Sequence, residues 1–389
     1  MSAELAVGWD LDPVVASWPG LPSLAGAERA DVCVIGLGGS GLAAVGEVLR
    51  RGLSVIGLDA GRVAAGAAGR NGGFLLGGPA IGVHKAAAGW GLAAALETYR
   101  QSLREIASLS ELLGPSVIWP VGSLRLAGLP GEIADEAEAA DRDRELADCR
   151  EQLQVMASHG IAADWYSGPL GEGLFLPDDA AMNPARRALG LAALYGGSAA
   201  LFENSPVLSI ESGLVQTTGG SVSAGLVVVA VDGKLELLLP ELAGKVRTTR
   251  LQMLATEPVS PGRLGCPVYG RWGYDYAQQD SAGRLYVGGG RDVDVEAEWT
   301  TSTEPTAKVQ AWIEQIASRF AGESVTVSHR WAASAAYTED GRPVVTEARP
   351  GVVACGAYNG TGNLVGPIAA RAAVALGLDG TKPGEHFST

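Results

Sequence analysis

The sequence predicts an α/β protein in which a Rossmann-like domain is interleaved with a second, α+β domain built on an antiparallel sheet. Three observations carry this. From Ala30 to Asp59 a buried strand, a G-x-G-x-x-G turn, a helix and a second strand follow one another. Between 247 and 291 the pattern changes to alternating, aromatic-rich strands separated by turns. A second glycine-rich strand-loop-helix, "GAYNGTGNLVGPIAAR", lies near the C-terminus. The chain has 389 residues, 47% of them hydrophobic. Single cores stop growing near ~250–300 residues, so two domains are expected.

Taken in order, residues 1–29 read as an irregular arm, because prolines at 13, 19 and 22 interrupt "WDLDPVVASWPGLPSLAG". Val32 to Ile35 is a buried strand, "SGLAAVGEVLRRG" a helix, and "LSVIGLDAG" the strand that completes a βαβ unit. Residues 91–113 and 132–158 carry helical periodicity, and the charges of the second are expected to face solvent. "NPARRALGLAALYGG" is a helix with Asn183 as N-cap and Pro184 in the first turn. Strands follow near 199–203 and 206–211, then a hairpin and the apolar strand "LVVVAVDG". After the antiparallel segment come a helix at 303–320 and the closing strand, turn, strand, glycine loop and helix. The segments divide into a discontinuous dinucleotide domain of 30–82, 165–246 and 330–389, and a substrate domain of 83–164 and 247–329.

The net charge of −14, without a basic block, argues against nucleic acid as a partner. Cys33, Cys149, Cys266 and Cys355 are far apart and show no zinc-ligand spacing, and His84, His159, His329 and His386 are equally scattered as surface or capped side chains, so no metal site is expected. Cys33 and Cys355 sit in apolar runs as buried thiols. No basic leader precedes an apolar stretch and no window reaches the ~18 apolar residues of a membrane span, so a cytoplasmic location without a membrane partner is the expectation.

Gly36, Gly38 and Gly41 form the G-x-G-x-x-G turn, with Gly39 and Ser40 inside it. The first glycine allows the tight turn, the second lets a pyrophosphate approach the backbone, and the third brings helix and strand together. The phosphates then face the free N–H groups of the helix N-terminus. Asp59 ends the second strand about twenty residues on, where a carboxylate meets an adenosine ribose. NAD and FAD share this fingerprint. A nicotinamide domain continues with further βα units, whereas this chain enters the small-residue run "DAGRVAAGAAGRNGGF" and keeps a second glycine loop for the far end. Two such stretches, so widely separated, point to FAD.

The order of these features resembles the D-amino acid oxidase (DAO) superfamily of FAD-dependent oxidoreductases, the group of glycine oxidase, sarcosine oxidase and γ-glutamylputrescine oxidase, and looks closest to the last of these. The resemblance rests on "ADVCVIGLGGSGLAAVGEVLRRGLSVIGLDAGR", "GRNGG", "LLPELAGKVRTTRLQMLATEP" and "YNGTGNLVGP", and covers most of the chain. It implies that Asp59, Ala60, Gly61 and Arg62 line the adenosine end, and that Gly69, Arg70, Asn71, Gly72 and Gly73 pass the pyrophosphate and flavin ring. It also implies that Val207 offers its backbone to adenine, and that Gly360, Thr361, Gly362, Asn363 and Leu364 run beside the ring. Val45 stands where the family prefers alanine.

Members of the family remove a hydride from the carbon beside an amine, the imine hydrolyses, and oxygen is the usual acceptor. The flavin carries this chemistry, so no catalytic side chain is required. In "RWAASAAYTEDGRPVV" the resemblance places Ala335 where glycine oxidase-like proteins hold a carboxylate-clamping arginine and sarcosine oxidase-like proteins hold, nearby, a cysteine bonded to flavin. Residues 59–74 contain neither His nor Cys. The expectation is a non-covalent FAD and a substrate that is not free glycine: an N-substituted amino acid or another larger secondary or primary amine. Arg271 and Arg291, with Arg330 behind them, are the arginines that either clamp a substrate carboxylate or form surface ion pairs. Trp272, Tyr274, Tyr276, Tyr337 and Tyr358 are candidate pocket walls or plain core. A dehydrogenase with another acceptor and a non-catalytic flavoprotein subunit are the alternatives. The missing lysine in "RLYVGGG", where some relatives are expected to activate oxygen, leaves the acceptor open between oxygen and another acceptor, and the oligomeric state has no signature.

Overall fold

A computed structural model describes residues 5–211 and 213–389. Its first sheet has eight strands and a largely parallel centre, in which Gly26–Ile35 lies between Val55–Leu58 and Gly220–Val229. Ala200–Phe202 continues one side, while Val352–Gly356 adds in parallel to Gly220–Val229 and brings the C-terminal segment to the sheet centre.

The C-terminal halves of the central strands, Val32 to Ile35 and Leu226 to Val229, are apolar and buried at every position because both of their faces are covered there. Val32 and Val34 point into one core with Leu42 and Val45 of the Gly39–Arg50 helix and with Ala369 and Ala373 of the Val365–Asp379 helix. Their neighbours Cys33 and Ile35 point the other way, against Val227, Leu235 and Leu239. The buried thiols of Cys33 and Cys355 are as expected, and burial raises both to about 12. Val45 is fully buried within the first core.

The second sheet also has eight strands, running from Val327–Tyr337 through Arg247–Thr256, Leu285–Gly288, Asp275–Gln279 and Val268–Gly270 to Ser123–Leu126, Gly171–Leu176 and Asp164–Gly168. The same alternation organises it. Leu254, Ala277 and Val287 pack under the Ala307–Ala321 helix, whereas Met253, Tyr286 and Trp331 join the core shared with the first domain. Phe74–Leu75, Ala180–Met182 and Ile118–Trp119 form a separate three-stranded sheet. No helix among the described residues is long and apolar enough to cross a membrane.

Several elements differ from the sequence reading. Asp164–Gly168, Gly171–Leu176 and Val327–Tyr337 hydrogen-bond into the second sheet, although most of their residues fall within the 165–246 and 330–389 segments of the dinucleotide domain, so we propose later boundaries there. Strand partners, which lie far away in sequence, decide such membership. The arm is not irregular. Gly8–Leu11 and Pro13–Ala16 are helical turns, Asp12 caps the second, and Trp9 and Val15 are buried. The long charged helix, Glu136–Ser158, does not keep all its charges in water. Glu145 is buried and accepts the backbone N–H groups of Gly128 and Trp272. Asp148 is buried against His84, Lys85 and Arg125. His84 belongs to that cluster and is not a surface residue, and His386 is likewise buried.

Candidate active site

The G-x-G-x-x-G turn follows from the close packing of strand and helix. Gly36 has φ +93°, and a Cβ there would lie 2.9 Å from the Ala230 carbonyl oxygen. A Cβ on Gly41 would overlap the carbonyl oxygen of Gly36. Gly38 is the N-cap of the Gly39–Arg50 helix, and a Cβ there would lie 3.4 Å from the Ala68 Cβ of the short Ala67–Arg70 helix. The helix therefore presents its first N–H groups toward the small-residue run, and Ser40 reaches back to Ala230 O at 3.4 Å. Asp59 accepts the backbone N–H groups of Leu37 at 2.8 Å and Gly61 at 2.9 Å. Burial nonetheless pushes its carboxyl upward against those two bonds. Each carboxylate oxygen takes one of these bonds and keeps a further lone pair for a polar ligand. Ser205 N donates to Asp59 O at 2.8 Å, so the chain leading to Val207 starts beside it. Ala60 is exposed, whereas Arg62 is partly buried and donates to Val15 O at 2.6 Å, tying down the arm.

The two glycine-rich stretches meet. Asn71 Nδ2 lies 3.2 Å from Asn363 Oδ1, and Asn363 Nδ2 lies 3.0 Å from Asn71 Oδ1, a reciprocal amide pair joining positions 292 apart. Asn71 also donates to Ala67 O and accepts Gly73 N, and Asn363 donates to Phe74 O. Gly69 admits the turn because a Cβ there would overlap Ala64 O. Gly73 has φ +75°, and a Cβ there would overlap Met182 O and the Gln278 amide. Gly360 at φ +88° opens the second loop, which Thr361 closes through its hydroxyl onto Tyr358 O at 2.7 Å. Gly362 packs on the Tyr358 ring, and the Leu364 side chain is buried.

This cradle fits FAD. Its turns exclude Cβ atoms, a helix N-terminus and the Asp59 carboxylate lie in register, and Arg70 holds a half-buried guanidinium whose Nε has no partner and whose charge burial disfavours. Sequence reasoning missed what supports it. Trp9 Nε1 donates to Asn71 O at 2.9 Å, Trp331 Nε1 to Arg70 O at 2.8 Å, and Gln278 to Gly72 O at 2.5 Å. Trp331 stood in the quoted "RWAAS" motif, but nothing local showed what it would touch. A cleft of about 890 Å³ lies behind the glycine-turn helix, lined by Gly39, Glu105, Arg187 and Arg371 among others.

Over the second loop, the antiparallel sheet supplies aromatic groups. The Tyr337 hydroxyl lies 3.3 Å from where a Gly360 Cβ would be. Tyr276 covers Gly288, lies 2.9 Å from a Cβ on Gly72 and stands edge-on to Phe74 at 5.7 Å. Burial pushes both phenols upward, so they stay protonated at neutral pH. The Arg291 guanidinium carbon lies 4.5 Å from the Tyr337 ring, 5.6 Å from Tyr274 and 5.8 Å from Trp299. It has no acidic partner among the described residues, and Trp299 was not anticipated. Ala335 is buried on the strand bearing Tyr337 and pairs with Thr249.

The other candidates go elsewhere. Arg271 binds Asp275 at 2.5 Å and also Asp292, with its guanidinium over Trp312. Arg330 binds Gln310 and Glu314 on the helix-covered face. Tyr358 is 3% exposed in the core beneath its loop, so it is not a pocket wall. Trp272 sits at φ +59°, 41% exposed, under the Lys85 ammonium.

Residues 31–376 match the DAO family, described as FAD dependent oxidoreductase. A probable oxidoreductase OrdL of Rhizobium meliloti (strain 1021) is 26% identical over 366 residues, spanning 88% of this chain and 82% of that protein. Gamma-glutamylputrescine oxidoreductase of Escherichia coli (strain K12) is 26% identical over 304 residues, 67% of this chain and 64% of its own length. The crystal structure of glycine oxidase from Geobacillus kaustophilus superposes with a TM-score of 0.71 at 21% identity, covering 92% of this chain and 96% of that one.

Proposed function

This chain belongs to the DAO family of FAD-dependent oxidoreductases, and from that premise we propose that it oxidises the C–N bond of a carboxylate-bearing amine. The substrate class is an N-substituted amino acid or another larger secondary or primary amine, not free glycine. Bound FAD supplies the hydride acceptor. The observation that carries the reading is Arg291: a guanidinium packed on aromatic rings, without an acid of its own, beside the tyrosine that covers the Gly360 loop. An arginine so placed recognises a carboxylate. Small Ala335 leaves room where a bulkier clamp would shorten the substrate. Tyr337 and Tyr276, held protonated, offer hydroxyl donors and exclude water around the reacting carbon. The residues nearest the cradle support non-covalent cofactor binding, because 59–74 holds no His or Cys and Cys355 is fully buried in the core. We take oxygen as the acceptor and peroxide as the product.

A peroxide-coupled screen of amines, D-amino acids and N-alkyl amino acids on the yellow holoprotein tests this. Best turnover is expected with N-substituted or extended substrates, and best turnover on free glycine or D-alanine would refute it. Flavin bleaching by substrate without peroxide under air would replace oxygen with another acceptor.

A further inference from the structure

Arg187 is 1% exposed, and its side chain is the largest of those fully buried. It lies in the Pro184–Tyr195 helix, where the capped, Pro-led N-terminus turns it inward. Its Nη2 donates to Asn363 O at 2.9 Å and its Nη1 lies 3.4 Å from Asn363 Oδ1, while Nε has no partner. The acid that faces it, Glu105, is bound by Arg371, so that pair is neutral and leaves the Arg187 charge unbalanced. Burial accordingly lowers its pKa to about 10.

The guanidinium also rests on the first turn of the glycine-turn helix. A Cβ on Gly39 would lie 2.6 Å from Arg187 Nη1, so this inner position of the G-x-G-x-x-G turn must be bare for the arginine to lie there. The positive end of a 12-residue helix therefore faces a buried cation, and Arg70 adds a second incompletely paired guanidinium on the neighbouring turn. Uncompensated positive charges in a buried site disfavour the empty protein. A bound anion relieves them.

We propose that Arg187 is the buried counter-charge of the cofactor pyrophosphate, acting from behind the first helical turn while its hydrogen bonds hold Asn363 in the amide pair with Asn71. The proposal rests on the FAD reading and adds to it a residue outside the glycine motifs. It makes Arg187 a liability in the apoprotein and an asset in the holoprotein, which a purely structural arginine is not.

Flavin-stripped wild type, Arg187→Met, Arg187→Lys and Gly39→Ala are compared by apoprotein Tm and by titration with FAD, ADP and adenosine. Arg187→Met is expected to melt at or above wild type as apoprotein and to bind FAD and ADP about 10- to 100-fold more weakly, with adenosine binding unchanged. Arg187→Lys, which keeps the charge, should recover part of the loss, and Gly39→Ala should resemble Arg187→Met by displacing the guanidinium. Unchanged FAD and ADP affinity in Arg187→Met, or equal losses for ADP and adenosine with a lowered apoprotein Tm, overturns the proposal. If Arg187→Met does not fold, Arg187→Lys and Gly39→Ala decide on the same readouts. Sulfate that stabilises the wild-type holoprotein but not the variants would assign the counter-ion to the cleft behind the helix, and the proposal would fall. A wild-type protein that takes up no FAD would overturn the cofactor reading itself.

Discussion

Truncating Arg291 and Arg271 separately should divide substrate binding from stability. A hydrogen-bonded charge pair with a substrate carboxylate contributes about 1.5–3 kcal/mol. Arg291→Ala is therefore expected to lower kcat/KM by roughly 10- to 150-fold. Because the carboxylate does not react, the loss belongs mainly in KM. Its contacts with Tyr274, Trp299 and Tyr337 contribute about 0.5–1 kcal/mol each at partly exposed sites, so the protein should stay folded. Arg271→Ala differs, since the Asp275 side chain is 0% exposed and keeps only Trp312 Nε1 at 3.2 Å and Gly290 N at 2.9 Å. Leaving a buried carboxylate without its cation costs about 3 kcal/mol, and Tm should fall by several degrees with KM little changed. Steady-state peroxide kinetics on the best substrate, with melting curves beside them, provide the comparison. An unchanged KM in Arg291→Ala, or a large KM rise in a fully stable Arg271→Ala, would refute the assignment.

Two further outcomes follow from the buried groups that the sequence did not reveal. Trp9 stacks on Tyr286 at 3.6 Å between ring centroids and holds the Asn71 carbonyl. Trp9→Ala is expected to cost about 3 kcal/mol and to lower the flavin-to-protein absorbance ratio of the purified protein; full flavin retention would sever the arm from the cradle. Asp148 is held down to about 2: burial alone would raise it, but hydrogen bonds from Lys85, His84 and Arg125 outweigh that effect. Its folded pKa lies below its unfolded one, so the stabilisation is complete above about pH 4 and disappears as pH falls through 2. Asp148→Asn should lower Tm by several degrees at pH 7, with the gap to wild type closing below pH 4 in melting curves; a pH-independent gap would contradict this.

Local rules made the Rossmann unit legible. The buried stretch of a strand covered on both faces is apolar, and Gly41 is imposed by a clash with Gly36 only five residues before it, although the Gly36 clash is with Ala230, distant in sequence. The same reasoning located the "GRNGG" run and the C-terminal loop and, with the resemblance, identified FAD. It could not read the partners of long, versatile side chains. Arg271 and Arg291 are both arginines near aromatic residues, yet one is spent on Asp275 and Asp292 and the other is not. Tyr337 and Tyr358 both follow strands of small residues, yet one faces the Gly360 loop and the other the core. The charged helix likewise turns Glu145 and Asp148 inward to partners from other segments.

By itself, the sequence determined the sheet that presents a helix N-terminus to a dinucleotide, because the Gly41–Gly36 exclusion and the runs of apolar residues act over short distances. Only the tertiary structure decided which cations remain unbalanced. Arg187 meets Asn363 across 176 positions and Asn71 meets Asn363 across 292. Charge compensation and burial depend on neighbours that are brought together only when the whole chain has packed.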